Sequence, residues 1–344
     1  MTDLVTLDAR AERYRAATQR EMRAVVGDAP DALHAWMRYH LGWEDRAGRP
    51  VEASPGKMLR PVALLLATEL AGGDIEAALP AAAAVELVHN FSLLHDDIED
   101  GSERRRGRPT VWTFAGRAQA INAGDAMFTL ARLALHRLEA AGVPSERVVA
   151  ATRELDEACM RLVEGQYLDM SFEGRIDVTL DEYLEMTGGK TAAMFAAPFA
   201  IGALLGGAAA STVDAYREFG RHIGLAFQAV DDVLGVWGDP AVTGKPVGDD
   251  LSSRKMTMPV IVALGAGGEI ASDLRIAYSA MADATEDVEP LRALVDRTAA
   301  RARTEAMAEG EERTALEALR AGGLSAEAIE MCAAFARSAV GRDS

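Results

Sequence analysis

The sequence predicts an all-α fold, because of its composition and its apolar runs. Hydrophobic residues make up 49% of the 344-residue chain, whereas aromatic residues make up only 6%. The apolar stretches contain runs of alanine and few β-branched residues, a balance typical of helices packed on helices. No Pro-, Gly- or Ser-rich linker and no change of composition divides the sequence, so residues 1–344 are predicted to form one large domain.

The charge balance argues against two classes of partner. A formal net charge of −17 would repel nucleic acid and anionic membranes, so anionic ligands would have to be held by local basic clusters. The two cysteines, Cys159 and Cys332, are too few for a disulfide framework in a chain of this length. Residues 1–25 are charged throughout and lack the apolar core of a signal peptide. These features predict a cytoplasmic protein.

One uncharged tract, Thr191–Thr212, has the length of a membrane span. It consists mostly of alanine and glycine, contains Pro198 and follows Lys190 directly. This composition favours a buried helix of the bundle over a transmembrane segment.

The first half of the chain has the pattern of helices separated by turns. Helices are predicted up to about Val26, over Ala32–Leu41, over Val62–Leu70 and in a long stretch that ends at Asp96. The segment over residues 42–55, rich in Gly, Asp and Arg, is predicted to be irregular.

The second half continues the helical pattern. Helices are predicted over Ala118–Ala140 and Ser145–Phe172, and Gly188 and Gly189 should break the helix in which they lie. A further apolar helix should end at the acidic pair Asp231 and Asp232. After Pro259, an apolar helix and helices of alternating charge are predicted to form a solvated outer layer without catalytic residues.

A first acidic cluster follows the longest apolar helix. Asp96, Asp97 and Asp100 lie on one helical face and are followed by three consecutive arginines, residues 104–106. Carboxylate oxygens together with phosphate oxygens suit Mg²⁺, and guanidinium groups bind phosphate in a forked geometry. The segment therefore predicts a site for a polyphosphate bridged by metal ions.

A second acidic cluster repeats this order. The pair Asp231 and Asp232 is followed by a loop that contains Lys245, Arg254 and Lys255. Lys190 lies at the predicted helix break beside the uncharged tract, where an unpaired cation would be costly to bury. The pattern favours an anion partner for this lysine.

Other polar residues leave alternatives open. Lys57 and Arg60 precede a helix N-terminus, which could bind an anion or leave both side chains solvated. His89, two turns before the first acidic cluster, could face the same cavity or be a satisfied core histidine. Gln166 and Asp169 share a helical face and form either an exposed polar stripe or a group that orients a metal ligand.

Together these motifs resemble those of the trans-isoprenyl diphosphate synthases, the polyprenyl synthetase family. Matching segments run from GKMLRP at Gly56 to KMTMP at Pro259, in the order and at about the spacing of the family. The resemblance implies a helical bundle around a deep cavity, usually as a homodimer. It also implies head-to-tail prenyl transfer, in which an allylic diphosphate ionises with Mg²⁺, isopentenyl diphosphate attacks the carbocation and a proton is lost.

The resemblance implies roles for particular residues. Asp96, Asp97 and Asp100 match the first aspartate-rich motif, and Asp231 and Asp232 match the second; together they would bind three Mg²⁺ ions and the allylic diphosphate from opposite sides. The basic contacts of that diphosphate would be Arg105, Lys190, Lys245 and Lys255, while Thr191 and Gln228 would face the developing cation. The isopentenyl diphosphate contacts would be Lys57, Arg60, His89 and Arg106.

Two positions depart from the family pattern. The second motif usually ends in a third aspartate, but this chain has Gly235, and Asp239 is the nearby carboxylate that could compensate. The family often has an arginine after the lysine of its GKR motif, where this chain has Met58 after Lys57. DDVLGVWGDP nevertheless resembles an actinobacterial subgroup of geranylgeranyl diphosphate synthases.

Product length is expected to depend on the residues four and five positions before Asp96. Ser92 is small and should let the growing chain pass, whereas the ring of Phe91 can form the floor of the channel. The resemblance then implies geranylgeranyl diphosphate as product, with farnesyl diphosphate as the alternative. Phe91 could instead be a core residue only.

Two other functions fit part of the pattern. A class I terpene cyclase shares the helical fold but ionises one diphosphate, so it would not need Lys57, His89 and the pair Arg105 and Arg106. A non-catalytic subunit of a heteromeric prenyl synthase is favoured only by Gly235.

Overall fold

Over the residues that it describes, the computed structural model is all-α apart from one short hairpin, which confirms the predicted fold class. It describes residues 2–51, 56–239, 248–280 and 287–341. The chain forms two compact units, Met1–Glu157 with Ala197–Asp214 (unit 1) and Ala158–Ala196 with Ala215–Ser344 (unit 2). This division does not test the single-domain prediction, which stays a prediction.

The helices before the first loop of basic residues match the predicted ones closely. They are α1 Thr2–Val26, α2 Ala32–His40, α3 Leu59–Leu70 and α4 Ile75–Glu99. Asp31 and Asp74 cap the N-termini of α2 and α4 by accepting hydrogen bonds from backbone N–H groups. Helix α4 continues one turn past Asp96, so the first acidic cluster lies within its last turn and Asp100 is its C-cap.

A two-stranded hairpin, β1 Arg104–Arg105 and β2 Arg108–Pro109, then precedes the short helix α5 Val111–Ala115. Neither was predicted, since two-residue strands show no periodicity. The chain continues as α6 Arg117–Ala140, α7 Ser145–Ser171 and α8 Leu180–Thr187.

The predicted helix break at Gly188 and Gly189 is wrong. The chain continues through a π-helix, Gly188–Ala192, into α9 Ala193–Leu205. Gly189 serves close packing instead: a Cβ at this position would lie 2.5 Å from the Arg161 carbonyl oxygen and 3.1 Å from the Gly165 α-carbon. The π-helix and the segment that contains Gly165 therefore pack backbone against backbone at Gly189 and Gly165. A side chain at either position would prevent this close approach.

Helix α10, Ala210–Trp237, also continues past its acidic pair, by five residues. In the described ranges that follow, the helices are α11 Asp249–Ser252, α12 Met258–Gly265, α13 Gly268–Ala280, α14 Glu289–Asp296, α15 Ala300–Ala321 and α16 Ala326–Val340.

Two apolar helical stretches, Ile75–Glu99 and Leu180–Leu205, have the length and hydropathy of membrane spans, but 78% of each apolar window is buried inside the protein. Burial of this extent is typical of core helices. In unit 1, Gly202 and Gly206 pack against the backbone of α3 at Leu64 and Thr68. The uncharged tract therefore packs as the sequence predicted.

Candidate functional site

The first acidic cluster lies at the end of α4 in unit 1. Asp97 is almost fully buried, and its Oδ1 accepts a 2.8 Å hydrogen bond from Arg105 Nε on β1. Burial raises the pKa of Asp97, the positive charge of Arg105 lowers it, and the negative charge of Asp100 raises it further. Its other oxygen, Oδ2, is buried without a hydrogen-bond partner among the described residues.

This donor set fits a divalent cation. A buried carboxylate oxygen without a hydrogen bond is costly unless a ligand pairs with it, and Asp96 and Asp100 flank it within one helical turn. In the part of the chain that the structure describes, no three acidic, His or Cys side chains already converge on one point. Mg²⁺ commonly takes one or two carboxylates and completes its coordination with phosphate oxygens and water, so such convergence is not required.

A basic cluster forms around His89, about two turns earlier on α4, with Arg60 of α3 and Arg106 of the hairpin, also in unit 1. His89 is held neutral: burial lowers its pKa well below the ordinary value, and so do the charges of Arg60, Arg106 and Arg105. Glu86, a buried carboxylate one turn before His89, lies in the electrostatic field of Arg60 and Arg106 and accepts a 3.2 Å hydrogen bond from Asn90 Nδ2. The structure thus brings the predicted Arg60, His89 and Arg106 together.

Gly56 makes room for this cluster. A Cβ at Gly56 would lie 2.5 Å from Arg106 Nη2 and 2.9 Å from its Cζ. The Arg106 guanidinium therefore packs directly against the Gly56 backbone, where a side chain would collide with it. Because Gly56 precedes Lys57 directly, this contact also brings Lys57 next to Arg106. From α1, Arg15 Nε donates a 3.0 Å hydrogen bond to the Lys57 carbonyl, which fixes the loop further.

Backbone strain marks the same loops. Among the described residues, the non-glycine residues with positive φ are Met58 (47°), Arg106 (50°) and Arg254 (54°). Each lies within a predicted ligand-binding motif or beside a predicted ligand-binding lysine. Left-handed conformations of such residues cost about 1–3 kcal/mol and persist mainly where the surroundings require them, as in binding sites.

Helix α2 contributes residues that sequence reasoning missed. Tyr39 Oη donates a 2.7 Å hydrogen bond to the Pro109 carbonyl, and the Arg108 guanidinium lies 4.0 Å from the centre of the Tyr39 ring. His40 lines a cavity of about 70 Å³ together with Asp97, Arg105 and Arg106. Burial and the charges of Arg105, Arg106 and Arg108 lower the pKa of His40 to about 3, so it is neutral at neutral pH. No local pattern links α2 to this hairpin.

Phe91 and Ser92 lie on α4 between the basic and the acidic cluster. The Phe91 ring is 8% exposed and meets Phe128 of α6 edge-on, with ring centres 4.9 Å apart. It also meets the His95 ring edge-on at 5.6 Å. Ser92 is half-buried, and its hydroxyl donates a 2.8 Å hydrogen bond to the His89 carbonyl. Phe91 is therefore a well-packed ring at the level predicted for the channel floor.

In unit 2 the π-helix positions Lys190 and Thr191. Lys190 Nζ pairs with Asp169 Oδ2 of α7 at 2.5 Å, so Asp169 orients this lysine. Thr191 donates a 2.8 Å hydrogen bond to Gln228 Oε1 on α10. Short π-helical turns within helices often occur at functional sites, where the wider turn redirects side chains.

The second acidic cluster, Asp231 and Asp232, lies on α10, and its two side chains have different environments. Asp232 is buried, and its oxygens accept hydrogen bonds from Tyr183 Oη (2.6 Å), Met258 N (2.8 Å) and Gln228 Nε2 (2.8 Å). Burial raises the pKa of Asp232 to about 7, although these three hydrogen bonds oppose the shift. Asp231, by contrast, is exposed.

The loop after α10 is described only in part. Lys245 lies outside the described residues, whereas Lys255 is exposed and directly follows the strained Arg254. The Lys255 carbonyl accepts a 2.8 Å hydrogen bond from Tyr278 Oη, and its N–H donates to the Asp250 carbonyl. The Lys255 backbone is thus fixed while its side chain stays accessible.

Comparison with known proteins assigns a family to this arrangement. The polyprenyl synthetase family model matches residues 45–295. The (2E,6E)-farnesyl diphosphate synthase of Mycobacterium bovis is 53% identical over 242 residues, which are 69% of this chain and 66%, just under two thirds, of that protein. The geranylgeranyl diphosphate synthase of Mycobacterium tuberculosis is 45% identical over 286 residues, 83% of this chain and 80% of that protein.

A solved structure agrees over nearly the whole chain. The polyprenyl synthetase of Streptomyces coelicolor A3(2) superposes with a TM-score of 0.90 at 42% identity, covering 97% of this chain and 99% of that one. The family match, the similar relatives and the all-helical fold agree with one another. The chain therefore belongs to the polyprenyl synthetase family.

Proposed function

We propose that this protein is a Mg²⁺-dependent prenyltransferase that condenses isopentenyl diphosphate with an allylic diphosphate. The observation that carries the proposal is the arrangement around α4: Arg60 of α3 and Arg106 of the hairpin surround neutral His89, and two turns later on α4 the buried Asp97 has an oxygen without a hydrogen-bond partner among the described residues. A class I terpene cyclase would need only one diphosphate site. Two adjacent clusters of opposite charge therefore favour a synthase with two diphosphate substrates.

Different residues of the chain would bind the metal ions and the allylic diphosphate in this reaction. When bound, Mg²⁺ would neutralise the charge that develops on the diphosphate as its bond to the allylic carbon breaks. Asp96, Asp97 and Asp100 would hold such ions in unit 1, and Asp231 and Asp232 match the second metal-binding motif of the family. Arg105, Lys190, Lys245 and Lys255 would contact the allylic diphosphate, since fixed cations stabilise a leaving anion in a site that excludes water.

The remaining predicted residues have polar roles in the same reaction. Thr191 and Gln228, hydrogen-bonded to each other, would present oxygen atoms to the allylic cation. Lys57, Arg60, His89 and Arg106 would hold isopentenyl diphosphate while its double bond attacks that cation and a proton leaves the carbon next to the new bond. Neutral His89 can donate one hydrogen bond to a phosphate oxygen without adding charge.

The product we propose is geranylgeranyl diphosphate, with farnesyl diphosphate as the alternative, since relatives carry both names. Purified protein should be incubated with Mg²⁺, isopentenyl diphosphate and each allylic primer, and the product masses measured. A 20-carbon diphosphate is the expected product. Consumption of geranylgeranyl diphosphate alone would instead indicate a cyclase, and no turnover with any primer would indicate a non-catalytic subunit.

His89 is expected to serve one substrate only. His89→Ala should raise the KM for isopentenyl diphosphate more than the KM for the allylic substrate, because one diphosphate loses a hydrogen-bond donor. His136→Ala is the matched control, since His136 is exposed on α6. Equal increases in both KM values for His89→Ala would assign His89 to the core instead.

We further propose a cytoplasmic homodimer. Both cysteines are buried free thiols, as expected in a reducing compartment. In unit 2, Met160, Val163, Tyr167 and Met170 follow one face of α7 and are 57%, 52%, 71% and 45% exposed. A continuous apolar row of this kind is typical of an interface, and a second copy of the chain is the proposed partner.

The dimer can be disrupted at this row. Val163→Glu with Tyr167→Glu should convert the protein to a monomer, since buried unpaired carboxylates are costly at an apolar interface. Light scattering after size-exclusion chromatography measures the mass. Ile276→Glu is the control, because Ile276 is 69% exposed on α13, away from the row in sequence. A double variant that remains dimeric would show that this row is not the interface.

A further inference from the structure

The turn of the arginine hairpin is strained and needs support from outside. Arg105 and Arg108 pair across the hairpin, so Arg106 and Gly107 form its two-residue turn. Both turn residues have positive φ, 50° and 74°. Such turns favour Asn or Gly at the first position, and an arginine there is strained. The conformation that directs Arg106 therefore depends on what holds the two strands.

Arg106 is the hairpin residue that reaches the basic cluster around His89. Its guanidinium packs against the Gly56 backbone, and its charge acts on the buried His89. The neighbouring Arg105 turns instead to Asp97, to which its Nε donates a hydrogen bond. A shift of the hairpin would move both guanidinium groups, because consecutive residues of one strand carry them.

Arg108 ties the hairpin to α2 and to the loop that follows α2. Its Nη1 donates a 2.9 Å hydrogen bond to the Tyr39 carbonyl, and its Nη2 donates a 2.6 Å hydrogen bond to the Glu44 carbonyl. The guanidinium also lies 4.0 Å from the centre of the Tyr39 ring, within the range of a cation–π contact. In return, Tyr39 Oη donates a 2.7 Å hydrogen bond to the Pro109 carbonyl on the same strand.

The support on the α2 side is itself held in place. Tyr39 is buried, and its ring meets Phe114 of α5 edge-on, with ring centres 5.1 Å apart. Glu44 Oε1 accepts a 2.7 Å hydrogen bond from Arg38 Nε, and Arg38 Nη1 donates to two backbone carbonyls before α2. Arg108 therefore anchors the hairpin to a part of unit 1 that has fixed contacts of its own.

Arg108 is poorly placed to bind diphosphate itself, although it belongs to the same run of arginines as Arg105 and Arg106. Both of its terminal nitrogen atoms donate to backbone carbonyls, and its guanidinium lies over the Tyr39 ring. A phosphate oxygen would have to compete with those carbonyls for the same donors. The geometry thus separates Arg108 from the arginines that face the two clusters of α4.

We propose that Arg108 is a positioning residue, which holds the hairpin on α2 so that Arg106 stays in place for the diphosphate of isopentenyl diphosphate. This inference rests on the proposed function, in which Arg106 contacts that diphosphate. A side chain that is fixed before its ligand arrives loses little conformational freedom on binding, so more of its interaction energy contributes to affinity.

Isothermal titration calorimetry with isopentenyl diphosphate alone tests this role, since the proposed reaction cannot proceed without an allylic substrate. Arg108→Gln should raise the Kd of isopentenyl diphosphate about tenfold, the order expected when one hydrogen bond to a charged group is lost. Arg108→Lys should raise the Kd similarly, because an ammonium group lacks the planar fork that reaches the carbonyls of Tyr39 and Glu44.

The matched control is Arg49→Gln. It also removes one positive charge, from the loop after α2, where the Arg49 side chain is 79% exposed and pairs with Asp45. This variant should bind isopentenyl diphosphate with the Kd of the wild type. A general loss of positive charge near α2 therefore cannot explain an effect confined to Arg108.

A double-mutant cycle shows whether Arg108 acts through Arg106. If it does, Arg108→Gln should change the Kd little once Arg106→Gln has removed the side chain that it positions. Additive effects of the two substitutions would mean that Arg108 contacts the substrate itself, which would overturn the inference. So would an Arg108→Gln protein with a lowered melting temperature and a wild-type Kd, since Arg108 would then serve stability alone.

Tyr39→Phe keeps the test decisive if circular dichroism melting shows that Arg108→Gln does not fold. It removes the hydrogen bond to the Pro109 carbonyl, changes no charge and keeps the ring beneath Arg108. It should raise the Kd of isopentenyl diphosphate, and this effect should disappear in the Arg106→Gln background. In that case a wild-type Kd for Tyr39→Phe would reject the positioning role of the contacts with α2.

These outcomes are separate from those of the proposed function. If the wild-type protein does not bind isopentenyl diphosphate, the proposed function itself fails. If it binds and Arg108→Gln binds with the same Kd, only the role of Arg108 fails.

Discussion

Asp96→Ala is expected to reduce turnover by about three orders of magnitude or more. Loss of a metal ligand removes charge stabilisation of several kcal/mol from the transition state, and each 1.4 kcal/mol or so corresponds to a factor of about ten in rate. Asp96 is half-buried beside Asp97 in the last turn of α4. Steady-state assays at saturating Mg²⁺ measure the effect.

Asp97→Ala should reduce turnover similarly but also lower the melting temperature, because it leaves Arg105 without its carboxylate partner. The matched control is Glu99→Ala, which removes an exposed carboxylate from the same helical turn. That variant should keep most of its activity. An Asp96→Ala protein with near-normal turnover would remove Asp96 from the metal site.

Phe91→Ala is expected to shift the products to longer chains while leaving ionisation intact. If the product grows back along α4 from Asp96, Phe91 lies about 7.5 Å away at 1.5 Å per residue. The ring is held edge-on by Phe128 and His95, so it is fixed in place as a floor requires. Its removal opens space that the neighbouring rings do not fill without repacking.

Mass spectrometry of the products measures this shift. Phe335→Ala is the matched control, because Phe335 is a buried ring of α16 whose loss costs similar packing energy. It should lower stability and leave the product distribution unchanged. A folded, active Phe91→Ala protein with an unchanged product distribution would show that Phe91 serves the core alone.

Much of the helical architecture could be predicted from local sequence. The predicted helix ends at about Val26 and at Leu70 match the observed ones, because capping and periodicity act within a few positions. The predicted break at Gly188 and Gly189 was wrong because the role of Gly189 depends on Gly165, which is distant in sequence. The hairpin of basic residues, its contact with Tyr39 and the cavity that it lines together with His40 were missed for the same reason.

Sequence also located both acidic clusters, since ionisable groups at the ends of apolar helices require partners or ligands. The grouping of Arg60, His89 and Arg106 was implied only by the family resemblance. The sequence could not show that Glu86 lies in the field of Arg60 and Arg106, although a single acid in an otherwise uncharged stretch of α4 was a usable signal. The roles of these residues in catalysis stay predictions until the variants are assayed.

The sequence by itself determined the helical fold class, the order of the motifs and the residue types available for binding diphosphate and Mg²⁺. Only the tertiary structure decided which carboxylate of the second pair is buried and which is exposed, and that Arg108 holds the hairpin on α2. The physical reason is that helix formation depends on neighbours within a turn or two. The environment of a carboxylate, by contrast, depends on donors such as Tyr183 and Met258, which join α10 only when the chain folds.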